Sequence, residues 1–328
     1  MMDKLIENFP QQLEEAIEIG INANIRKPKI KIKNIVLSGL GGSGIGGNLV
    51  QELTSNELTV PFSINKDYFL PNYADENTLV IISSYSGNTE ETLNAMELAL
   101  DRGCHIICVS SGGKVIEKAR QHKLDYIEVP GGMPPRACLG YSFVQQLFIL
   151  IKIDLLNGLF KDNLLKSVDM LKSKQSEIKK TAKELSDFLY NSCPVIYISA
   201  HMESVAIRFR QQINENSKML CWHHVIPEMN HNELVGWRDK SENLAVVYFR
   251  NNDDFERIQK RVEINKKIIG QYTSRQMEVY SKGENLLEQS LYLIHLGDWV
   301  SYFLAEKRNR DAVEVDVIDF LKGELSKS

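Results

Sequence analysis

The sequence predicts an α/β protein of two tandem domains, each a parallel sheet flanked by helices. Short apolar runs that read as strands alternate with helix-length amphipathic runs, the order a parallel sheet requires. The strand-like runs are continuously apolar: Asn34 to Ser38 reads NIVLS, Leu79 to Ser83 LVIIS, Val195 to Ser199 VIYIS. That is the pattern of strands covered on both faces. The 328 residues also exceed the ~250–300 at which a single core tends to split. The division is expected in a helical connection, giving domains 1–160 and 161–328.

Taken in order, the first thirty residues set Leu5, Ile6, Leu13, Ile17 and Ile21 on one side of a helix that Pro28 ends. Asn34 to Ser38 is the first strand, then a glycine loop, then a helix from about Ile45 to Leu53. Strands follow near Val60 to Ile64, Leu79 to Ser83, Cys104 to Val109 and Tyr126 to Val129, with a helix from about Thr89 to Arg102 and a shorter one after the fourth strand. Pro130 to Arg136 (PGGMPPR) breaks the alternation. Long helices follow, Leu139 to Leu156 and Leu164 to Tyr190. From Pro194 the pattern restarts: strands at Val195 to Ser199, Met219 to His223, Leu244 to Phe249 and Gln276 to Tyr280, with helices at Ser204 to Asn216, Phe255 to Ile269 and Leu286 to Arg308.

Composition narrows the class. Hydrophobic residues make up 43% and charged residues 25% of the chain, ordinary for a globular protein. A net charge of −4 gives no bias toward nucleic acid, and Lys27 to Lys33 reads as a solvated lead-in to the first strand. No run of about 20 apolar residues suggests a membrane span, and Met1 to Leu5 opens no apolar leader. Cys104, Cys108, Cys138, Cys193 and Cys221 show neither CxxC nor zinc spacing. Buried free thiols in a reducing cytoplasm are expected, with no metal and no cofactor.

Two loops, each between a strand and a helix, carry the chemistry. Gly39-Leu40-Gly41-Gly42-Ser43-Gly44 leaves backbone N–H groups unobstructed. Ser84-Tyr85-Ser86-Gly87-Asn88-Thr89 places the hydroxyls of Ser84, Ser86 and Thr89 around a helix N-terminus. Backbone donors, hydroxyls and a helix dipole together seat a phosphate, so Gly42, Ser43, Ser84, Ser86 and Thr89 are the expected anchors. Capping alone is the plainer use of the second loop, with Ser86 or Asn88 as N-cap. The first loop also fits the dinucleotide pattern GxGxxG, but Asp67 comes late for the ribose acid, and Ile45 stands where a P-loop needs lysine.

GLGGSGIGG followed by SSYSGNTEET resembles the sugar isomerase (SIS) domain family, whose flavodoxin-like domains bind phosphosugars. Three further segments narrow the likeness: Pro130 to Tyr141 (PGGMPPRACLGY), Gln212 to Lys218 (QINENSK) and Pro227 to Trp237 (PEMNHNELVGW). They resemble the bifunctional phosphoglucose/phosphomannose isomerases of the phosphoglucose isomerase superfamily, along nearly the whole chain. The resemblance implies an aldose–ketose isomerase working through a cis-enediol, without metal, on glucose 6-phosphate, mannose 6-phosphate and fructose 6-phosphate.

It also implies roles. Glu215 is the base at C1 and C2, His231 opens the ring, Arg136 stabilises the enediolate and Lys322 contacts the ring oxygen. In the family the histidine comes from a partner subunit, so a homodimer with shared sites is expected, with neither nucleic acid nor membrane as partner. Family members often carry Pro-Thr-Pro before the last helix. Here the chain reads Asn309-Arg310-Asp311-Ala312-Val313-Glu314-Val315, so a threonine that shapes the pocket for the C2 epimer is not evident. A different reading is a phosphosugar-binding regulatory protein without catalysis, which would need no Glu215–His231 pair.

Overall fold

The computed structural model describes residues 1–325 and 327. The chain runs α1 (Met2–Glu7), α2 (Phe9–Asn22), β1 (Asn34–Ser38), α3 (Gly41–Thr54), β2 (Phe62–Asn65), β3 (Thr78–Ser83), α4 (Glu90–Asp101) and β4 (His105–Ser110). Then come α5 (Gly113–Gln121), β5 (Asp125–Glu128), α6 (Leu139–Lys152), α7 (Leu159–Leu189), β6 (Cys193–Ser199), α8 (Glu203–Ser217), β7 (Trp222–Ile226) and α9 (Glu233–Gly236). Last are β8 (Leu244–Arg250), α10 (Glu256–Ile269), β9 (Gln276–Tyr280), α11 (Leu286–Lys307) and α12 (Asp316–Leu325).

Two compact units form. One comprises Asn8–Ser173 and Gly283–Leu291; the other Met1–Glu7, Lys174–Lys282 and the described residues from Tyr292 onward. The first holds a five-stranded parallel sheet of order β2-β1-β3-β4-β5. Val36, Val80, Ile82 and Cys108 are buried in a core with Ala95, Met96 and Ala99 of α4. After β1 the chain steps outward to β2, then returns to the other side of β1 as β3. The carboxyl ends of β1 and β3 therefore flank the point where strand order reverses, where open α/β sheets bind ligands. The second unit repeats the device with four parallel strands, β7-β6-β8-β9. α6 is buried all round from Leu139 to Leu150, as a core helix must be. No helix among the described residues is long and apolar enough to cross a membrane.

Several elements depart from the expectation. The N-terminal helix is two, broken at Asn8, because Pro10 belongs to a first turn of its own. α2 stops at Asn22 rather than at Pro28. Ala23 turns extended (φ −61°, ψ 133°), and Lys152 Nζ donates to the Ile21 carbonyl at 2.9 Å, satisfying an end the helix cannot. The glycine loop is itself helical from Gly41: the N–H groups of Ser43 and Gly44 turn back to the Leu40 carbonyl at 3.1 and 3.2 Å. β7 starts at Trp222 rather than Met219. Asn214 Nδ2 holds the Met219 carbonyl at 2.7 Å, and Lys218 caps α8 in the left-handed region at φ 55°, so residues 218–219 still belong to the helix exit. Of the five cysteines, Cys193 is only half-buried.

Candidate active site

The two loops expected to hold phosphate meet around the carboxyl ends of β1 and β3. Ser43 Oγ, in the first turn of α3, accepts the Tyr85 N–H at 3.2 Å, tying one loop to the other. Gln146 Nε2, from buried α6, donates to the Ser43 carbonyl and to Ser83 Oγ, both at 3.1 Å. Gly42 presses against the PGGMPPR segment: a Cβ there would lie 2.8 Å from the Pro135 carbonyl oxygen and 3.8 Å from Arg136 Cα. The structure thus brings Arg136 beside the glycine loop, in the 3-10 turn Pro135–Ala137, with 5% of its surface exposed.

The second loop uses its hydroxyls on itself. Ser84 Oγ and Thr89 Oγ1 share a hydrogen bond at 2.9 Å, Ser84 Oγ accepts the Gly87 N–H at 3.2 Å, and Ser86 Oγ accepts the Asn88 N–H at 3.3 Å. Plain capping by Ser86 or Asn88 is overturned: Thr89 is the N-cap of α4, its backbone extended, and no side chain caps the helix. The first-turn N–H groups of α4 are therefore left for another acceptor, where the dipole favours an anion. Gly87 is obligatory. Its φ is +68°, and a Cβ would sit 1.9 Å from the Gly112 carbonyl oxygen. Ser84 is buried, Thr89 half-buried and Ser86 exposed.

Tyr85 carries no chemistry, yet both loops hang from it. Its hydroxyl donates to the Pro130 carbonyl at 2.9 Å and accepts the Met133 N–H at 3.3 Å, pinning the segment that leads to Arg136. Burial pushes the phenol well above its ordinary pKa, so it stays a neutral donor. Gln12 completes the support, donating to the Ala137 carbonyl at 2.8 Å and accepting the Gly140 N–H at 2.9 Å.

The other expected residues lie in the second unit. Glu215 is half-buried in the last turn of α8. Beside it Lys218 Nζ donates to three carbonyls, of Glu215 at 2.6 Å, Glu314 at 2.9 Å and Asp311 at 3.0 Å. It also pairs with the Glu314 carboxylate at 3.3 Å. This clamp fastens the segment before α12 to the end of the helix that bears Glu215. Lys322 lies on α12, exposed, on a helix with no buried residue. His231 ends a 3-10 turn, Glu228–His231, and is exposed. No hydrogen bond or ion pair joins it to Glu215 among the described residues. His223 and His224 have structural surroundings. Burial lowers the His223 pKa, with Glu203 3.4 Å away, and His224 Nδ1 accepts the Val225 N–H at 2.8 Å.

Tyr85, Gln146 and Lys218 escaped the sequence reading as functional supports. Lys218 alone left a signal, standing inside the QINENSK motif. Among the described residues no three His, Cys, Asp or Glu side chains gather as a metal would need.

Comparison with known proteins places the chain in a family. Residues 30–150 match the SIS domain model, and residues 178–325 the model of the bacterial phospho-glucose isomerase C-terminal SIS domain. A bifunctional phosphoglucose/phosphomannose isomerase of Caldicellulosiruptor bescii is 39% identical, with 99% of each chain covered. One of Aquifex aeolicus is 38% identical, over 99% of this chain and 98% of its own. Among solved structures, the C-terminal domain of a glucosamine-fructose-6-phosphate aminotransferase from Francisella tularensis superposes with a TM-score of 0.77, at 14% identity, covering 96% of this chain and 98% of that one. A tagatose-6-phosphate ketose/aldose isomerase from Escherichia coli gives 0.68 at 13% identity, over 95% and 94%. These two share the fold.

Proposed function

The chain belongs to the bifunctional phosphoglucose/phosphomannose isomerases, and we propose that it interconverts glucose 6-phosphate and mannose 6-phosphate with fructose 6-phosphate through a cis-enediolate. The observation that carries this is full-length relatedness to such isomerases, and the meeting of the glycine and hydroxyl loops at the carboxyl ends of β1 and β3 supports it. The 6-phosphate is held by the Gly42 N–H in the first turn of α3, by first-turn N–H groups of α4, and by the hydroxyls of Ser43, Ser84, Ser86 and Thr89.

With the sugar so anchored, His231 moves the proton that opens the ring, and Lys322 steadies the ring oxygen. The Glu215 carboxylate takes the C2 proton of the open aldose and returns it to C1, while a proton passes from the C2 hydroxyl to the C1 oxygen. The electron pair of the C2–H bond passes into the enediolate, whose charge the Arg136 guanidinium balances. The two aldoses differ only at C2, the carbon that becomes planar, so both collapse to one intermediate. Acid–base groups supply every step.

We further infer a homodimer in which His231 serves the partner's substrate, and a cytoplasmic setting. Phosphorylated substrates and five free cysteines suit a reducing compartment. The decisive assay supplies fructose 6-phosphate and follows both aldose phosphates with coupled dehydrogenases, with and without EDTA. Both products are expected, at rates EDTA leaves unchanged. Neither product forming would overturn the assignment; loss of activity with EDTA would overturn the metal-free chemistry.

A further inference from the structure

The Pro227–Trp237 segment is held at nearly every side chain except the one the chemistry needs. Met229 is fully buried in a core with Tyr197, Ile226, Trp237 and Tyr248. Asn230 Nδ2 donates to Oδ1 of buried Asn265 at 2.7 Å, and Arg261 donates to Asn230 Oδ1 at 3.3 Å. Asn232 Oδ1 accepts the Glu233 N–H at 2.6 Å while its Nδ2 donates to Glu228 at 2.8 Å. The exposed imidazole of His231 has no hydrogen-bond partner among the described residues.

The strongest tie runs through one atom. Tyr197, on central strand β6, donates its hydroxyl to Glu233 Oε1 at 2.5 Å and accepts Trp237 Nε1–H at 3.0 Å. Trp222 Nε1 adds a second donor to Glu233 at 3.3 Å. One buried phenol thus fixes both ends of the 233–237 turn to the sheet, two residues after His231. Core packing does not call for that hydroxyl. The ring already packs against Tyr248, centroids 5.7 Å apart, and phenylalanine would fill the same volume. What the hydroxyl adds is a charge-assisted bond to a half-exposed carboxylate, which aims a surface loop rather than filling a core.

We propose that Tyr197 and Glu233 are positioning residues for His231, holding its imidazole where the sugar ring must be opened. The inference rests on the reading above that His231 opens the ring. An unanchored imidazole at the end of a 3-10 turn would spread over many orientations, and misplacement of a reacting group by ~1 Å can cost on the order of 100-fold in rate.

A double-mutant cycle tests it, measuring kcat and KM on glucose 6-phosphate for wild type, Tyr197→Phe, His231→Ala and the double variant. Tyr197→Phe is expected to lower kcat by roughly 10- to 100-fold with KM nearly unchanged, and to add nothing once His231 is gone. An equal loss in both backgrounds means a general structural role and overturns the proposal, as does an unchanged kcat in Tyr197→Phe. Full activity in His231→Ala instead sinks the ring-opening role, and the positioning role with it. Should Tyr197→Phe fold poorly by circular dichroism, Glu233→Ala cuts the same tie from the exposed side and enters the same cycle. Glu233→Gln, which still offers an oxygen to Tyr197, is expected to recover part of the rate; no recovery over Glu233→Ala would overturn the tie.

Discussion

Glu215 is the residue on which the proposed chemistry turns. Glu215→Gln keeps the volume and removes the base, so kcat should fall by about 10²–10⁴ while calorimetric binding of fructose 6-phosphate persists; full turnover in this variant would remove Glu215 from the mechanism. Gly42 tests the proposed phosphate site. A methyl there meets the Pro135 carbonyl at 2.8 Å, forcing apart the α3 turn and the Arg136 segment. Gly42→Ala should raise KM and destabilise the fold by about 1–3 kcal/mol, read from substrate titration and urea melts. At this scale the proposed anchors stood out in the sequence because hydroxyls, glycines and charges in fixed order leave a pattern. Tyr85 and Tyr197 were not: an apolar run with a tyrosine in it looks the same whether its hydroxyl meets water or clamps a loop.

Among the elements, α12 stands apart. Val317, Phe320, Leu321 and Leu325 are exposed along it at helical spacing, and none of its residues is buried. What fixes the segment before it is the Lys218 ammonium, which gathers carbonyls of residues 215, 311 and 314. Lys218→Met should loosen that stretch without unfolding the sheet. The expected outcome is faster proteolytic cleavage within residues 311–325 and a lower kcat, with the urea midpoint shifted little. Equal cleavage in variant and wild type would show that the clamp does not hold the helix. The strands were easy to place because burial on both faces makes them continuously apolar. Helix ends were harder. The exit of α8 depends on a left-handed lysine and a carbonyl held by Asn214, and the start of α3 on glycines that read as loop until the Leu40 carbonyl closes a turn over them.

For the whole molecule, the shared-site dimer makes a prediction that no single copy can mimic. If Glu215 and His231 of one site come from different copies, mixing the impaired Glu215→Gln and His231→Ala variants should restore activity. Random exchange gives about a quarter of the wild-type rate, measured after mixing, with light scattering checking the dimer; no recovery would place both groups in one copy. By itself the sequence determined the architecture and the family, and it singled out the loops and residues proposed to hold phosphate and to react, since each depends on local periodicity or on motif residues close along the chain. Only the tertiary structure decided what holds them. The Gly42–Pro135 approach, the Gln146 bridge to Ser43 and the Tyr197 link to Glu233 join positions 36 to 103 residues apart. Such contacts are set by how strands are ordered and helices laid on them, and the side chains that make them carry no local mark.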